Sequence, residues 1–245
     1  MCNLYAMSKH RSEALALARA MVDRNDNQPP QPAIFPDYPA PVILRADDGQ
    51  IEMRDLRWGM PSSKKALLDA ATKRADKLRA KGKEVDFAHL LRMEPDRGTT
   101  NVRKTESRHW AGWLGPQNRC LVPFTSFSEP DQVGGSLKPV WFALDESRPL
   151  AFFAGVRTHG WTCVRKINEG EVTCDLFGFL TTDANAEVGA VHDKVMPVIL
   201  TSEDERALWL SDAPWDAVKH LQRPLPAGSL VEVARGDRKD GEAAV

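Results

Sequence analysis

Apolar and polar positions divide this chain into a first half with helical periodicity and a second half of short apolar runs. Residues 9–24 carry Ala14, Leu15, Leu17, Ala18, Met21 and Val22 at three- and four-residue spacing, which predicts one amphipathic helix. Residues 25–41 are rich in Asn, Gln and Pro, include Pro29-Pro30, and read as a long, partly extended loop. The runs PVILR (41–45) and IEMRDLRW (51–58) read as two strands joined by the turn Asp47-Asp48-Gly49. Residues 62–84 return to helical composition, with Lys64, Lys65, Lys73, Arg74, Lys77, Arg79, Lys81 and Lys83 read as a solvated face. A short helix is predicted over 87–93, and the polar stretch 96–107 reads as loop or strand edge.

The second half is strand-rich. RCLVP (119–123), PVWFAL (139–144), LAFFAGVR (150–157) and VTCDLFGFLTT (172–182) are apolar or β-branched runs separated by Gly, Pro and charged turns. Successive strands with short connections predict an α+β protein whose sheet is antiparallel, curved and barrel-like, with helices at its periphery. Ser202-Glu203-Asp204-Glu205 opens a helix over 202–210 as a capping box, and 214–221 reads as another short helix. Residues 230–234 read as a closing strand. A single domain is expected over 2–235, with a charged, disordered tail at 236–245.

Composition narrows the function classes. A hydrophobic content of 42 % over 245 residues supports a sizeable core, and no apolar run is long enough to cross a bilayer. With no secretory signal pattern at residue 1, the chain is expected in the cytoplasm, without a membrane partner. The net charge of −1 gives no global attraction to nucleic acid, so an anionic partner must be met by a local cationic patch. Cys2, Cys120, Cys163 and Cys174 form no CxxC pair and show no zinc-ligand spacing with histidine. No metal and no cofactor is expected.

Candidate chemistry begins at Met1-Cys2. With Met1 removed, Cys2 carries a thiol and a free α-amine on adjacent carbons. This 1,2-aminothiol condenses with an aldehyde: the amine gives an imine, sulfur closes onto its carbon, and a thiazolidine results. The amine titrates at roughly 7.7–8.0 and the thiol near about 8.5, so both are within reach of neutral pH. The plain alternative is an incidental residue on a frayed terminus.

Four other stretches hold candidate groups. Residues 120–129 end an apolar run in Glu129 beside Phe124 and Phe127; a desolvated carboxyl there suits a general acid or base, against a strand-end Glu in water. Residues 189–200 place His192 before an apolar run and beside Asp193 and Lys194, which reads as a titratable imidazole at a pocket mouth or as an ordinary loop histidine. Asn101 and Arg103, two residues apart, share a face if extended and suit directed hydrogen bonds and phosphate contacts. Trp58, Met60 and Pro61 form either an exposed wedge that stacks on bases or, for Trp58, core.

Together these stretches resemble the SRAP (SOS response-associated peptidase) family. The resemblance rests on Met1-Cys2, Arg57-Trp58-Gly59, Asn101-x-Arg103-x-x-Glu106, Arg119-Cys120-Leu121-Val122-Pro123 leading to Phe127-x-Glu129, and His192 before Met196-Pro197-Val198-Ile199-Leu200. It implies a single α+β domain with a cationic groove for single-stranded DNA, and covalent capture of abasic sites through Cys2. It also implies roles. Cys2 is the nucleophile. Glu129 assists proton transfer and Met1 removal, and His192 opens the abasic sugar. Asn101 stands near the crosslink, and Arg103 binds phosphate. The implied partner is single-stranded DNA containing abasic sites, met by a monomer that associates with the nucleoid when bound, and lyase activity or reversal of the crosslink fits the same imine.

Two departures stand out. Asn3-Leu4 replaces the family's usual Gly-Arg, and Asp193-Lys194-Val195 is one residue longer than the usual spacing, which passes a phosphate contact from Arg to Lys194. The other readings are a cysteine peptidase with Cys2 as nucleophile and His192 as base, and a non-catalytic single-strand binding module.

Overall fold

The computed structural model describes residues 2–20, 22–25 and 28–240. The first half contributes β1 (Leu4–Met7), α1 (Arg11–Leu17), β2 (Val22–Asp23), β3 (Gln31–Ile34), β4 (Pro39–Arg45), β5 (Ile51–Trp58), α2 (Lys64–Arg79), α3 (Phe87–Arg92) and β6 (Asn101–Val102). The second half adds β7 (Arg119–Phe124), β8 (Ser126–Pro130), β9 (Pro139–Ala143), β10 (Ala151–Val164) and β11 (Glu171–Thr182). It ends with α4 (Ala186–Gly189), β12 (Met196–Pro197), β13 (Ile199–Leu200), α5 (Glu203–Leu210), α6 (Trp215–Val218) and β14 (Val231–Arg235).

Five strands close a barrel. The β4–β5 hairpin forms as the two apolar runs and the Asp-Asp-Gly turn predict, with Gly49 at φ +84° near its tip. β4 pairs with β7, β7 with β10 and β10 with β11, each antiparallel. β11 then runs parallel to β5 through Leu176↔Arg57 and Phe177↔Trp58, which completes the ring. The barrel-like α+β expectation holds, with one parallel seam where an antiparallel sheet was expected. Closure leaves these strands no free edge, and their inward side chains fill the interior. Phe124 stacks on Phe153 at 3.9 Å between centroids, and Phe153 meets Phe179 at 4.6 Å.

A second sheet, in the order β14-β9-β8-β1-β3, lies against this barrel. Alternation along β1 sends Leu4 and Ala6 to Trp141 on one face and Tyr5 into the main core on the other. Tyr5 sits edge-on to Trp58 at 5.0 Å, Phe153 at 5.8 Å and Phe179 at 6.0 Å. Three residues after Cys2, the chain is therefore pinned into the aromatic centre of the molecule.

Three expectations are corrected. The helix predicted over 9–24 ends at Leu17, Arg19 takes φ +52°, and Val22-Asp23 becomes a strand beside β5; Met21 lies outside the described residues. The cause is tertiary: the buried Arg11 guanidinium bonds Asp23 and Asp55, each at 2.7 Å, which requires the chain to turn back. The loop expected over 25–41 contains β3, an edge strand where Pro32 costs no ladder bond that a central strand would need. The tail expected from 236 is packed as far as 240: buried Asp240 accepts from Ser126 Oγ at 2.5 Å and Arg148 Nε at 2.7 Å, and Asp237 accepts from Trp141 Nε1 at 2.8 Å. Residues 241–245 lie outside the described residues.

Candidate active site

β1 lies between β3 and β8, and its register with β8 is Leu4↔Ser128, Tyr5↔Phe127 and Ala6↔Ser126. That register carries Cys2 to the end of β8, where Glu129 sits. Both are fully buried, so the strand-end Glu in water is not what the chain builds. Glu129 faces inward because it alternates with Ser128 on a strand whose Phe127 enters the core. Burial pushes its carboxyl up to about 7. The Cys2 thiol is pushed well above its ordinary range, first by burial and then by the negative charge of Glu129. Sγ donates to the Leu4 carbonyl at 3.6 Å.

Asn101 completes this group from the barrel side. β6 runs parallel to β11 through Asn101↔Phe179, which places a buried amide opposite the start of β1. Its Nδ2 donates to the Cys2 carbonyl at 2.6 Å and to Thr100 Oγ1 at 2.7 Å. The backbone of Cys2 is thus clamped by a side chain 99 residues away.

His192 arrives on the loop after α4. Its backbone N–H caps that helix by donating to Val188 O at 2.7 Å, and the preceding Val191 carbonyl accepts from Gln132 and Val133, just beyond Glu129. The ring is buried, and burial pulls the imidazole below its ordinary value. It is neutral at neutral pH, with one ring N–H to give and one ring nitrogen to accept. Arg103 ties this loop to β6 by donating to the Lys194 carbonyl, and it also pairs with Asp183. The structure therefore brings Cys2, Asn101, Glu129 and the His192 loop to one place. Arg103 and Lys194 stand at its exposed rim. Met1, whose loss the aminothiol chemistry requires, lies outside the described residues.

A family model described as SOS response associated peptidase (SRAP) matches residues 1–235. This chain belongs to the SRAP family. Solved structures similar to this SRAP protein include a protein from Bordetella bronchiseptica, at 23 % identity and TM-score 0.61, covering 94 % of this chain and 97 % of that one. A Bacteroides thetaiotaomicron protein matches at 20 % identity and TM-score 0.62, over 94 % and 90 % of the two chains. A phage-related protein from Bordetella bronchiseptica matches at 19 % identity and TM-score 0.59, over 94 % and 92 %. These likenesses show a shared fold. No curated protein gives a significant match.

The expected stacking wedge is corrected in this SRAP chain. Trp58 and Met60 are fully buried and Pro61 is buried beside them. Trp58 stacks on Phe177 and Phe179, and its Nε1 donates to Thr100 O at 3.2 Å. That bond holds the residue just before Asn101.

Sequence reading also missed Arg165, its side chain buried, whose Nε donates to Asp37 at 2.8 Å and Nη1 to Gly59 O at 3.2 Å. It sits against the crossing of Gly59 and Gly98, beside the Met60↔Thr99 bridge that leads to Asn101. The available signal was a pair of glycines, Gly59 after an apolar strand and Gly98 inside the polar stretch. Among the described residues no cluster of three or more His, Cys, Asp or Glu side chains is arranged to hold a metal ion, and no helix is long and apolar enough to cross a membrane.

Proposed function

We propose that this SRAP protein captures abasic sites in single-stranded DNA by condensing the Cys2 aminothiol, freed by removal of Met1, with the open-chain sugar aldehyde. The observation that carries the reading is the buried group of Cys2, Asn101 and Glu129, in which the carboxyl titrates at about 7 and the cysteine carbonyl is held at 2.6 Å.

The chemistry follows from who holds the protons. The neutral α-amine adds to the aldehyde carbon, the carbinolamine loses water, and a C=N bond forms. The thiol sulfur then adds to that carbon while its proton passes to nitrogen, which closes the ring with net loss of one water. A carboxyl near pH 7 shuttles both protons: as an acid it helps the hydroxyl leave, and as a carboxylate it takes the thiol proton. Asn101 fixes the Cys2 backbone so that amine and sulfur present to one carbon. Neutral His192 is suited to relaying the anomeric hydroxyl proton to the sugar ring oxygen, so that the hemiacetal opens to the aldehyde with no net proton gained or lost. Arg103 and Lys194 at the rim meet the flanking phosphates. The same imine acidifies the adjacent sugar carbon, which makes strand elimination a side branch.

A specific observation weighs against the peptidase reading. A cysteine peptidase begins with thiolate attack, and here burial and Glu129 both oppose the thiolate. In the aminothiol route the amine attacks first and sulfur follows onto an activated imine.

The test is denaturing gel electrophoresis with intact mass spectrometry, using an oligonucleotide with one abasic site. The expected result is an adduct of protein lacking Met1, short of one water, that disappears in Cys2→Ala. Protein shown to lack Met1 and to be folded, yet forming no adduct, overturns the reading. Cleavage of a peptide in trans without DNA would point to the peptidase instead.

A further inference from the structure

A second aromatic cluster lies apart from the core stack around Trp58. Trp113 packs against His109 at 5.2 Å, Trp110 at 5.8 Å and Trp161 at 5.9 Å between ring centroids. Trp110 is buried, Trp113 is half-buried and Trp161 is 36 % exposed. Trp161 stands on the outer part of β10, where His159, Gly160 and Thr162 are also exposed. A ring buttressed edge-on by fixed rings has already given up most of its rotamer freedom, so a partner that stacks on it orders little more.

Bonds around the cluster gather cations. His109 Nε2 bonds the Pro61 carbonyl at 2.9 Å, two residues before the Ser63 cap of α2. Ser62 N donates to Asp96 at 3.0 Å, and Asp96 N donates to Val164 O, three residues beyond Trp161, at 2.8 Å. These bonds bring Lys64 and Lys65 in the first turn of α2, Arg97 beside Asp96, and Arg108 beside His109 to the rim of the cluster, all exposed. From 64 to 83 the chain has eight cations against two carboxylates, in a protein of net charge −1. α2 and the residues just after it are therefore a local cationic patch.

The cluster is connected to the Cys2 site through a single strand. β11 pairs with Trp161 at Cys174 and with Asn101 at Phe179. Five strand residues span about 17 Å. That is about five nucleotides if the single strand keeps the 3.4 Å rise of stacked bases, and fewer if it is extended.

We propose that Trp161 and Trp113, with Lys64, Lys65 and Arg108 beside them, form a second subsite for single-stranded DNA, on which bases flanking the reactive site stack. This rests on the DNA reading above and adds to it a place for the strand away from Cys2. The stacking faces of the ledge supply no directed donor or acceptor to a base edge, so it takes bases of any sequence. α2 supplies phosphate contacts, which fits a helix whose exposed cations have few carboxylate partners.

The experiment is fluorescence anisotropy with intact single strands lacking any abasic site, together with abasic strands whose flank is lengthened on each side in turn. Wild-type affinity is expected to rise once the flank on one side passes about five nucleotides. Trp161→Ala should lose about tenfold on long strands and little on short ones, the size of one base–aromatic stack. Trp161→Phe should recover most of it. Should Trp161→Ala fail to fold, Lys64→Ala/Lys65→Ala on the exposed face of α2 tests the same site, with the salt slope on long strands falling by about 0.7 for each phosphate that is no longer neutralised. Equal affinity of wild type and variants for long strands, or an equal loss on long and short ones, overturns the proposal. The denaturing gel separates the two readings. No adduct, with the length dependence intact, sinks the abasic-site reading and leaves the ledge standing. Adduct without length dependence sinks the ledge alone.

Discussion

At the scale of single residues, the site is a contest between burial and charge. Glu129 holds its proton to about 7 in the folded protein, against 4.5 when unfolded. The folded state binds that proton more tightly, so the stabilisation is complete below 4.5 and lost as pH rises through about 7. Glu129→Gln, which stays neutral, should remove this loss. Thermal denaturation of the two proteins from about pH 4 to 8 should show wild type falling behind by about 3 kcal/mol towards the alkaline end. Parallel curves would mean the carboxylate is as well solvated inside as outside. His192 has the opposite sign: its folded value is depressed, so its contribution is present above its ordinary value and is lost as pH falls below it. Chemistry alone made Cys2 a candidate, because no other position offers an amine and a thiol on adjacent carbons, but it was the remaining stretches that set it above an incidental terminal residue. Glu129 and His192 were legible only as members of a family pattern. Trp58 was misplaced because a Trp-Gly-x-Pro stretch carries no periodicity, and only the aromatic partners on β11 reveal that it is core.

At the scale of elements, the crossing of the chain at Gly59 and Gly98 sets where Asn101 stands. A Cβ on Gly98 would lie 2.8 Å from Gly59 Cα and 2.7 Å from the Arg165 guanidinium, and its φ is +77°. Backbone cannot yield there as a flexible side chain would. Gly98→Ala should cost ~2–4 kcal/mol by urea denaturation and slow adduct formation through the displaced Met60↔Thr99 bridge. A cost below about 1 kcal/mol would show that the crossing is free to open. Strands read as apolar runs were found with ends right to within two residues, since hairpin turns and β-branched runs are local signals, except that β10 runs on to Val164 where its apolar run ends at Arg157. β8 was not, because Ser126-Phe127-Ser128-Glu129 alternates polar with aromatic and suggests a solvated face. All four of these residues are buried, and the serine face is covered by elements from both ends of the chain. The helix over 9–24 failed for the same reason: the pull of Arg11 on Asp23 and Asp55 outweighs a weak helical preference.

At the scale of the whole molecule, the second sheet is tied at its back by the segment expected to be tail. Asp240 is fully enclosed between Ser126 and Arg148, and its N–H donates to Pro32 O at 3.0 Å. Removing the carboxylate leaves a largely buried guanidinium without its charge partner. Asp240→Ala should therefore cost about 3 kcal/mol, measured by denaturant unfolding. Truncation after 235 should do the same or worse, and either protein matching wild type would show the interaction to be ornamental. Sequence reading missed this because charged, Gly-containing termini are ordinarily solvated, and what orders this one is a pocket built from β3, β8 and β9.

The placement of β1 also has a consequence in time. Its two neighbours in the sheet are 31–34 and 126–130, so the second is made long after the first. At about 5–20 residues per second, roughly 6–25 s pass between synthesis of β1 and of β8. During that interval the nascent chain carries Cys2 in water, at the ordinary acidity of a thiol and open to processing enzymes and oxidants alike. The finished fold ends this bulk exposure, so what is done to the first residues before β8 emerges is done without Glu129 beside them.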